Sequence, residues 1–271
     1  FVIRASKDVY YNENDRWAGF VEDTSRINES ELVFYNPGLR VELPDEEYVG
    51  KQLEWIEKLF LNHYSRELLK KKMVKKVILA KNVTYCRRLG NNILSEQERD
   101  YFNNIANTLI FSHGDASVEN LANEDMLEMK NDLHTWMLTE KLVDDYPMAE
   151  LEDFLSVTDY SKTLSADYYE EWVSEGWLGR LANSEEEAKR TDVRTYLEMI
   201  ITTPKEILEI DVNSVSRQDP LFWVIRNYDY AGFLHPSKDV AGNIKKKYDL
   251  IVAAFKDWGV DLPAIGDLYY E

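Results

Sequence analysis

The chain of 271 residues is short of several things, and each shortage removes an option. A single cysteine, Cys86, allows no intrachain disulfide and no all-cysteine zinc site. That suits a reducing compartment, and equally an exported protein built without disulfides. No run of about 18 apolar residues occurs, which excludes a spanning helix. With 11 Gly and 7 Pro there is no internal repeat and no low-complexity segment. Basic residues are outnumbered, 32 against 50 acidic, for a formal charge of −18. A chain so anionic repels phosphates, which argues against nucleic acid and anionic membrane surfaces as partners. Neither GxGxxG, a P-loop, GxSxG nor CxxC is present. The chain starts at Phe1 with no charged-then-apolar leader, as a trimmed product would, so location cannot be read from its start.

What is present is a globular composition. Hydrophobic residues make up 44%, and 7 Trp, 17 Tyr and 10 Phe exclude a disordered tail. A chain this long buries roughly three quarters of its unfolded surface, enough for one large core or two small ones. Residues 1–31, with Tyr10, Tyr11 and Trp17, read as an irregular arm. Leu32–Tyr35 is a β-type run closed by Asn36-Pro37-Gly38. Pro44-Asp45-Glu46-Glu47 opens a long helix with the stripe Val49, Leu53, Ile56, Phe60, Tyr64. Its end is basic from Arg66 to Lys76, as a final helical turn prefers. Val77–Ala80 and Thr108–Phe111 read as buried strands, and Ser95-Glu96-Gln97-Glu98 as a capping box opening a short helix between them.

Residues 117–258 read as helix after helix: 124–143, 147–156, 165–174, one capped by Ser184 and stopped by Pro204, one opened by Asp219-Pro220, and a last one capped by Ser237. The order predicts an α+β fold, mainly helical, with a small sheet from the N-terminal half packed on a helical body. It makes one domain over 32–271, with an α/β lobe at about 32–116 and a helical lobe at about 117–271.

Two residue types invite a chemical reading. Cys86 precedes Arg87 and Arg88, which would lower a thiol pKa, but nothing places a base beside it, so a structural cysteine is the plainer reading. The histidines are His63, His113, His134 and His235, and no two share a helical turn. Zinc hydrolases place two at i and i+4 on one helix with a Glu between them as general base. His134, mid-helix in Leu133-His134-Thr135-Trp136-Met137-Leu138, reads on its own as a hydrogen-bonded structural residue.

Several segments together resemble a family of zincin-like, zinc-binding metallopeptidases found as lipoproteins of gut Bacteroidetes, often encoded beside outer-membrane glycan-uptake systems. The segments are Tyr35-Asn36-Pro37 with Pro44–Glu47, the helix through Trp55, Ile56, Phe60 and Tyr64, and the strand Lys75–Leu79. Further on come Trp172 to Gly179, Asn183–Glu187 with Asp192–Tyr196, and Lys246 through Leu262. The likeness runs over about 32–265. It implies a zincin-like fold, with the family's HExxH motif falling on residues 134–138. There His134 survives, Thr135 replaces the general-base Glu, and Leu138 replaces the second His. The later acidic ligand would lie near 192–198, where Asp192 and Glu198 are candidates and Thr195 stands at the ligand's place.

A catalytic zinc takes three protein ligands and a water, and a lone imidazole cannot replace that chelate. The resemblance therefore implies a dead zincin: no catalytic residue, no metal ligand and no cofactor, zinc included. His134, Thr135, Leu138, Asp192, Thr195 and Glu198 would line a vestigial cleft between the lobes. Tyr168, Tyr169, Trp172 and Trp177 would offer ring faces to a glycan, although core aromatics are the blander reading. The expected partners are a glycan or peptide and outer-membrane uptake proteins, and the expected location is an exported lipoprotein at the cell surface or in the periplasm. Two alternatives remain: an active hydrolase in which Glu140, Asp192 or Glu198 joins His134, and a helical scaffold with an exposed apolar patch.

Overall fold

The computed structural model describes residues 9–12, 17–20, 38–73, 75–89, 93–105, 108–143, 148–162, 169–179 and 182–268. The chain forms two compact units, one holding Met73–Met129 and the residues before Phe60, the other Phe60–Lys72 and the residues from Lys130 onward. The fold is α+β, with every described strand in the first unit. The expected strand at Leu32–Tyr35 lies outside the described residues.

The first unit carries two small sheets rather than one. Strands β1 (Val9–Asn12), β2 (Trp17–Phe20), β3 (Gly38–Val41), β5 (Val83–Leu89) and β6 (Ile93–Glu98) form an antiparallel sheet in the order β2-β1-β3-β5-β6. Strands β4 (Lys76–Leu79), β7 (Tyr101–Ile105) and β8 (Thr108–Phe111) form a second, in which β4 and β8 run parallel. Two expectations are corrected here. Part of the N-terminal arm is paired strand, with Val9–Asn12 in register against Gly38–Val41. Ser95–Glu98 is strand, not a helix start, because β6 pairs along β5 from Leu89↔Ile93 to Thr84↔Glu98. A capping box needs an apolar helical run behind it, and here a two-residue turn, Arg99-Asp100, follows instead.

Leu39, Val41, Ile78, Ala80, Val83 and Ile110 make this unit's core, with Tyr85 and Phe102 against it. Helix α1 (Val49–Leu59) seals the sheet ends by an unusual device. Gln52, fully buried, aims its Nε2 at the carbonyls of Ala80 (3.0 Å), Phe111 (3.2 Å) and Ser112 (2.6 Å), just past the ends of β4 and β8. The Ala80 and Phe111 carbonyls also accept the Gly114 and Ala80 N–H groups, each at 2.8 Å, so Gln52 adds a second donor to these two and supplies the donor to Ser112. The expected stripe through Phe60 and Tyr64 does not continue as helix: α1 stops at Leu59, and the basic stretch begins its own helix, α2 (Arg66–Lys72).

The second unit is helical among its described residues. Helix α3 (Asn123–Thr135) passes into it at Lys130 and widens into a π-helix over Trp136–Leu142. Short helices α4 (Glu152–Leu155) and α5 (Tyr169–Ser174) follow. Helix α6 (Glu185–Thr202) starts as expected. Ser184 accepts from the Glu187 N–H at 3.2 Å and Glu187 Oε2 accepts from the Asn183 N–H at 2.8 Å. Helices α7 (Lys205–Leu208) and α8 (Leu221–Ile225) precede α9 (Asn243–Asp257) and α10 (Leu262–Gly266). Ser237 does not cap α9. Gly242, at φ 72°, is its N-cap, and the Asp239 carboxylate accepts from the Ile244 and Lys245 N–H groups at 3.1 and 2.7 Å. After α9, Gly259 (φ 82°) turns the chain, its carbonyl accepting from the Ser65 N–H at 2.9 Å; a Cβ there would sit 2.6 Å from that of Ser65.

Replacing Gln52 by Leu takes the side-chain donor from the Ser112 carbonyl, while Ala80 and Phe111 keep their backbone donors, and should cost about 1–3 kcal/mol, the range for an orphaned buried polar group. Denaturant unfolding of the variant against the parent measures it.

Candidate functional site

His134 occupies the last turn of α3 and is fully buried. The Tyr64 hydroxyl meets its Nδ1 at 2.7 Å, and the two rings stack at 5.5 Å with 26° between planes. Phe60 and His63 flank the imidazole, each with ring centroids at 5.3 Å. Burial pushes the Tyr64 phenol well up from its ordinary value, so the hydroxyl stays neutral. Leu138, where a second ligand would stand, is fully buried and apolar. It lies in the π segment, whose added residue per turn also alters the i, i+4 stacking that a two-histidine chelate uses. Thr135 is half-buried, and its carbonyl accepts from Thr139 Oγ1 at 2.7 Å. Glu140 is exposed.

The carboxylate at 192 belongs to a different cluster. Asp192, with no exposure, is engaged on both oxygens. Its Oδ1 accepts from the Leu178 and Gly179 N–H groups at 2.9 and 3.2 Å. Its Oδ2 accepts from the Tyr160 hydroxyl at 2.5 Å and is ion-paired to the Lys247 ammonium. Lys247, equally buried, also donates to Thr158 Oγ1 (2.9 Å) and Tyr160 Oη (3.0 Å). Its Nζ lies 4.3 Å from the Phe154 ring centroid and 5.0 Å from that of Tyr196. Desolvation pushes the Lys247 amine down, against the pull of Asp192, and burial with the Asp192 charge pushes the Tyr160 phenol up. Asp192 is thus an ion-pair partner with its lone pairs taken rather than a spare metal ligand. Thr195 bonds back to the Thr191 carbonyl at 3.0 Å, and the Glu198 carbonyl accepts from Thr202 Oγ1 at 2.7 Å. Among the described residues no group of three His, Cys, Asp or Glu side chains is placed to hold a metal ion.

The expected aromatic surface is corrected as well. Trp172 and Trp177 are buried, tilted against each other at 5.9 Å, and packed with Tyr160 and Ala188. Tyr169 opens α5, and Tyr168 lies outside the described residues. An exposed aromatic does exist, at a place the sequence reading missed: Trp223 on α8 is 64% exposed, with the Phe222 ring at 5.4 Å and the Arg226 guanidinium 5.9 Å from its own ring.

A second missed arrangement is an Asp–His–Ser relay in the first unit. His113 Nε2 meets Asp100 Oδ1 at 2.7 Å and its Nδ1 meets Ser117 Oγ at 3.2 Å, on a backbone with φ 66°. The hydrogen bond to His113 lowers the Asp100 pKa. Acyl transfer also needs donors for an oxyanion. The amides of Ser117 and of the next residue are committed, Ser117 N–H to Asp115 Oδ1 at 2.9 Å and Val118 N–H to the Asp115 carbonyl at 3.2 Å. The relay therefore pins a strained turn.

Two expected outcomes follow from the second unit's buried groups. Tyr64→Phe removes the hydroxyl that meets His134 Nδ1 and should lower unfolding free energy by about 1–3 kcal/mol by the cost of a lost buried partner. Lys130, fully buried with its Nζ 2.7 Å from the Ile201 carbonyl, is pushed down to about 7 by desolvation, with Asp267 pulling the other way. Between that value and the ordinary lysine range the unfolded chain binds the extra proton, so stability rises with pH from about 7 toward 10.5. Lys130→Met should flatten that part of a stability–pH curve measured by urea unfolding.

No family model matches the chain, and neither a curated protein nor a solved structure matches it.

Proposed function

We propose that this protein is a non-catalytic, zincin-like surface lipoprotein that serves as a binding or structural component of a glycan- or peptide-uptake assembly. The observation that carries the reading is the setting of His134. Its Nδ1 meets a neutral Tyr64 hydroxyl, a buried leucine stands one turn on, and a threonine occupies the general-base position. A zinc hydrolase needs at that place a second nitrogen ligand and a carboxylate to deprotonate the bound water. The alternative of a rearranged active site loses its strongest carboxylate, because Asp192 is held by Lys247, Tyr160 and two backbone amides. The exported location and the glycan or peptide ligand rest on the sequence resemblance. Trp223, beside Phe222 and Arg226, is the exposed aromatic on which a ligand face would be built.

The test is metal analysis of protein purified without chelator, beside a binding screen of glycans and peptides. The expected result is far less than one zinc per chain, unchanged by His134→Ala, with no peptide hydrolysis. One zinc per chain that disappears in His134→Ala would restore the enzyme reading.

A further inference from the structure

We propose that Lys247 and Asp192 become joined by an intramolecular isopeptide bond that the folded second unit forms by itself. The buried pair has more than an ion pair requires. The amine and the carboxyl are in direct contact with no solvent exposure, so an amide formed there is shielded from hydrolysis. Oδ1 faces two backbone N–H donors, those of Leu178 and Gly179, which is how oxyanion-stabilising sites are built. Oδ2 faces the Tyr160 hydroxyl, a neutral proton donor at 2.5 Å. Burial disfavours the charged form of the amine, and the rings of Phe154, Tyr160 and Tyr196 wall it off from water. The close approach of Gly179 belongs to the same construction: a Cβ there would lie 3.0 Å from the Asp192 backbone nitrogen.

The step balances without any further reactant. A proton passes from the Lys247 ammonium to the Asp192 carboxylate, leaving an amine and a carboxylic acid. The Nζ lone pair attacks Cγ, and the carbonyl electron pair moves onto Oδ1, where the two amides hold it. Oδ2 then departs as water, taking a proton that leaves Nζ by way of the Tyr160 hydroxyl, and the pair on Oδ1 restores the carbonyl. The product is one amide and one water, with no change of oxidation state. The inference does not depend on whether the protein binds zinc, a glycan or a peptide.

Intact mass spectrometry of the full-length purified chain tests it. The expected mass is lower than the sequence mass by one water, and proteolysis should release a branched peptide joining the segments around residues 192 and 247. Lys247→Met and Asp192→Ala should each return the full sequence mass, while Asp192→Asn should lose ammonia in place of water. Tyr160→Phe should slow the loss, seen as a larger uncrosslinked fraction soon after refolding. The wild-type measurement stands by itself should the variants not fold. A wild-type mass equal to the sequence mass, or a water loss mapped to any other residue, overturns the proposal and leaves the two residues a purely electrostatic pair.

Discussion

The second unit is organised around one constraint: a lysine and an aspartate that no solvent reaches must be fully satisfied where they sit. Moving each ion out of water costs several kcal/mol even after relaxation, and only good geometry with every remaining proton and lone pair engaged offsets it. The surrounding structure meets that demand from five stretches of chain. Helix α6 brings Asp192 and α9 brings Lys247. The segment after α4 supplies Thr158 and Tyr160, the turn after α5 supplies two amides, and α4 itself supplies a ring face. Tyr196, one turn from Asp192, closes the shell by donating to the Gly176 carbonyl at 2.7 Å. Helices that could slide along one another on apolar contacts alone are pinned in one register by this set of partners.

The same logic separates the two histidine sites. His134 is drawn into the core and paired with a phenol, whereas His113 sits half-buried at a strained turn between an aspartate and a serine. Each looks like a fragment of a catalytic apparatus when named by residue type. Among the described residues the first, although His63 lies beside it, is in no group of three metal-ligating side chains, and the amides of Ser117 and Val118 at the second are already engaged. The amine–carboxyl pair is the place where nucleophile, electrophile, oxyanion donors and proton donor meet.

Much of the fold was legible because it was local. The Ser184 cap, the stop at Pro204, the opening at Asp219-Pro220, the strand expected at Val77–Ala80 and found at Lys76–Leu79 with only its second half buried, and the buried strand Thr108–Phe111 all follow from signals within a few residues of themselves. What failed depended on distant partners. Ser95–Glu98 carries a helix signal that pairing with β5 overrides, and the arm at Val9–Asn12 is strand because β3 lies beside it. Trp172 and Trp177 could not be told from surface aromatics without knowing that Tyr160 and Ala188 pack on them. Lys247 and Asp192 did leave a trace: each interrupts the apolar stripe of its helix, among Ile244, Tyr248 and Ile251 in one case and Ala188, Val193 and Tyr196 in the other. A charge on a core stripe demands a partner, but the sequence alone does not pair them, since Lys130 is buried as well and bonds a carbonyl instead.

His134, fully buried with its Nδ1 against the Tyr64 hydroxyl, is held as a core residue in place of a metal ligand. Ring-nitrogen NMR of histidine-labelled protein, recorded while zinc is added, tests it at the atom in question. The His134 resonances, assigned through a His134→Gln variant, should stay where they are through the addition of several equivalents. A His134 signal that shifts and saturates at one equivalent would contradict it.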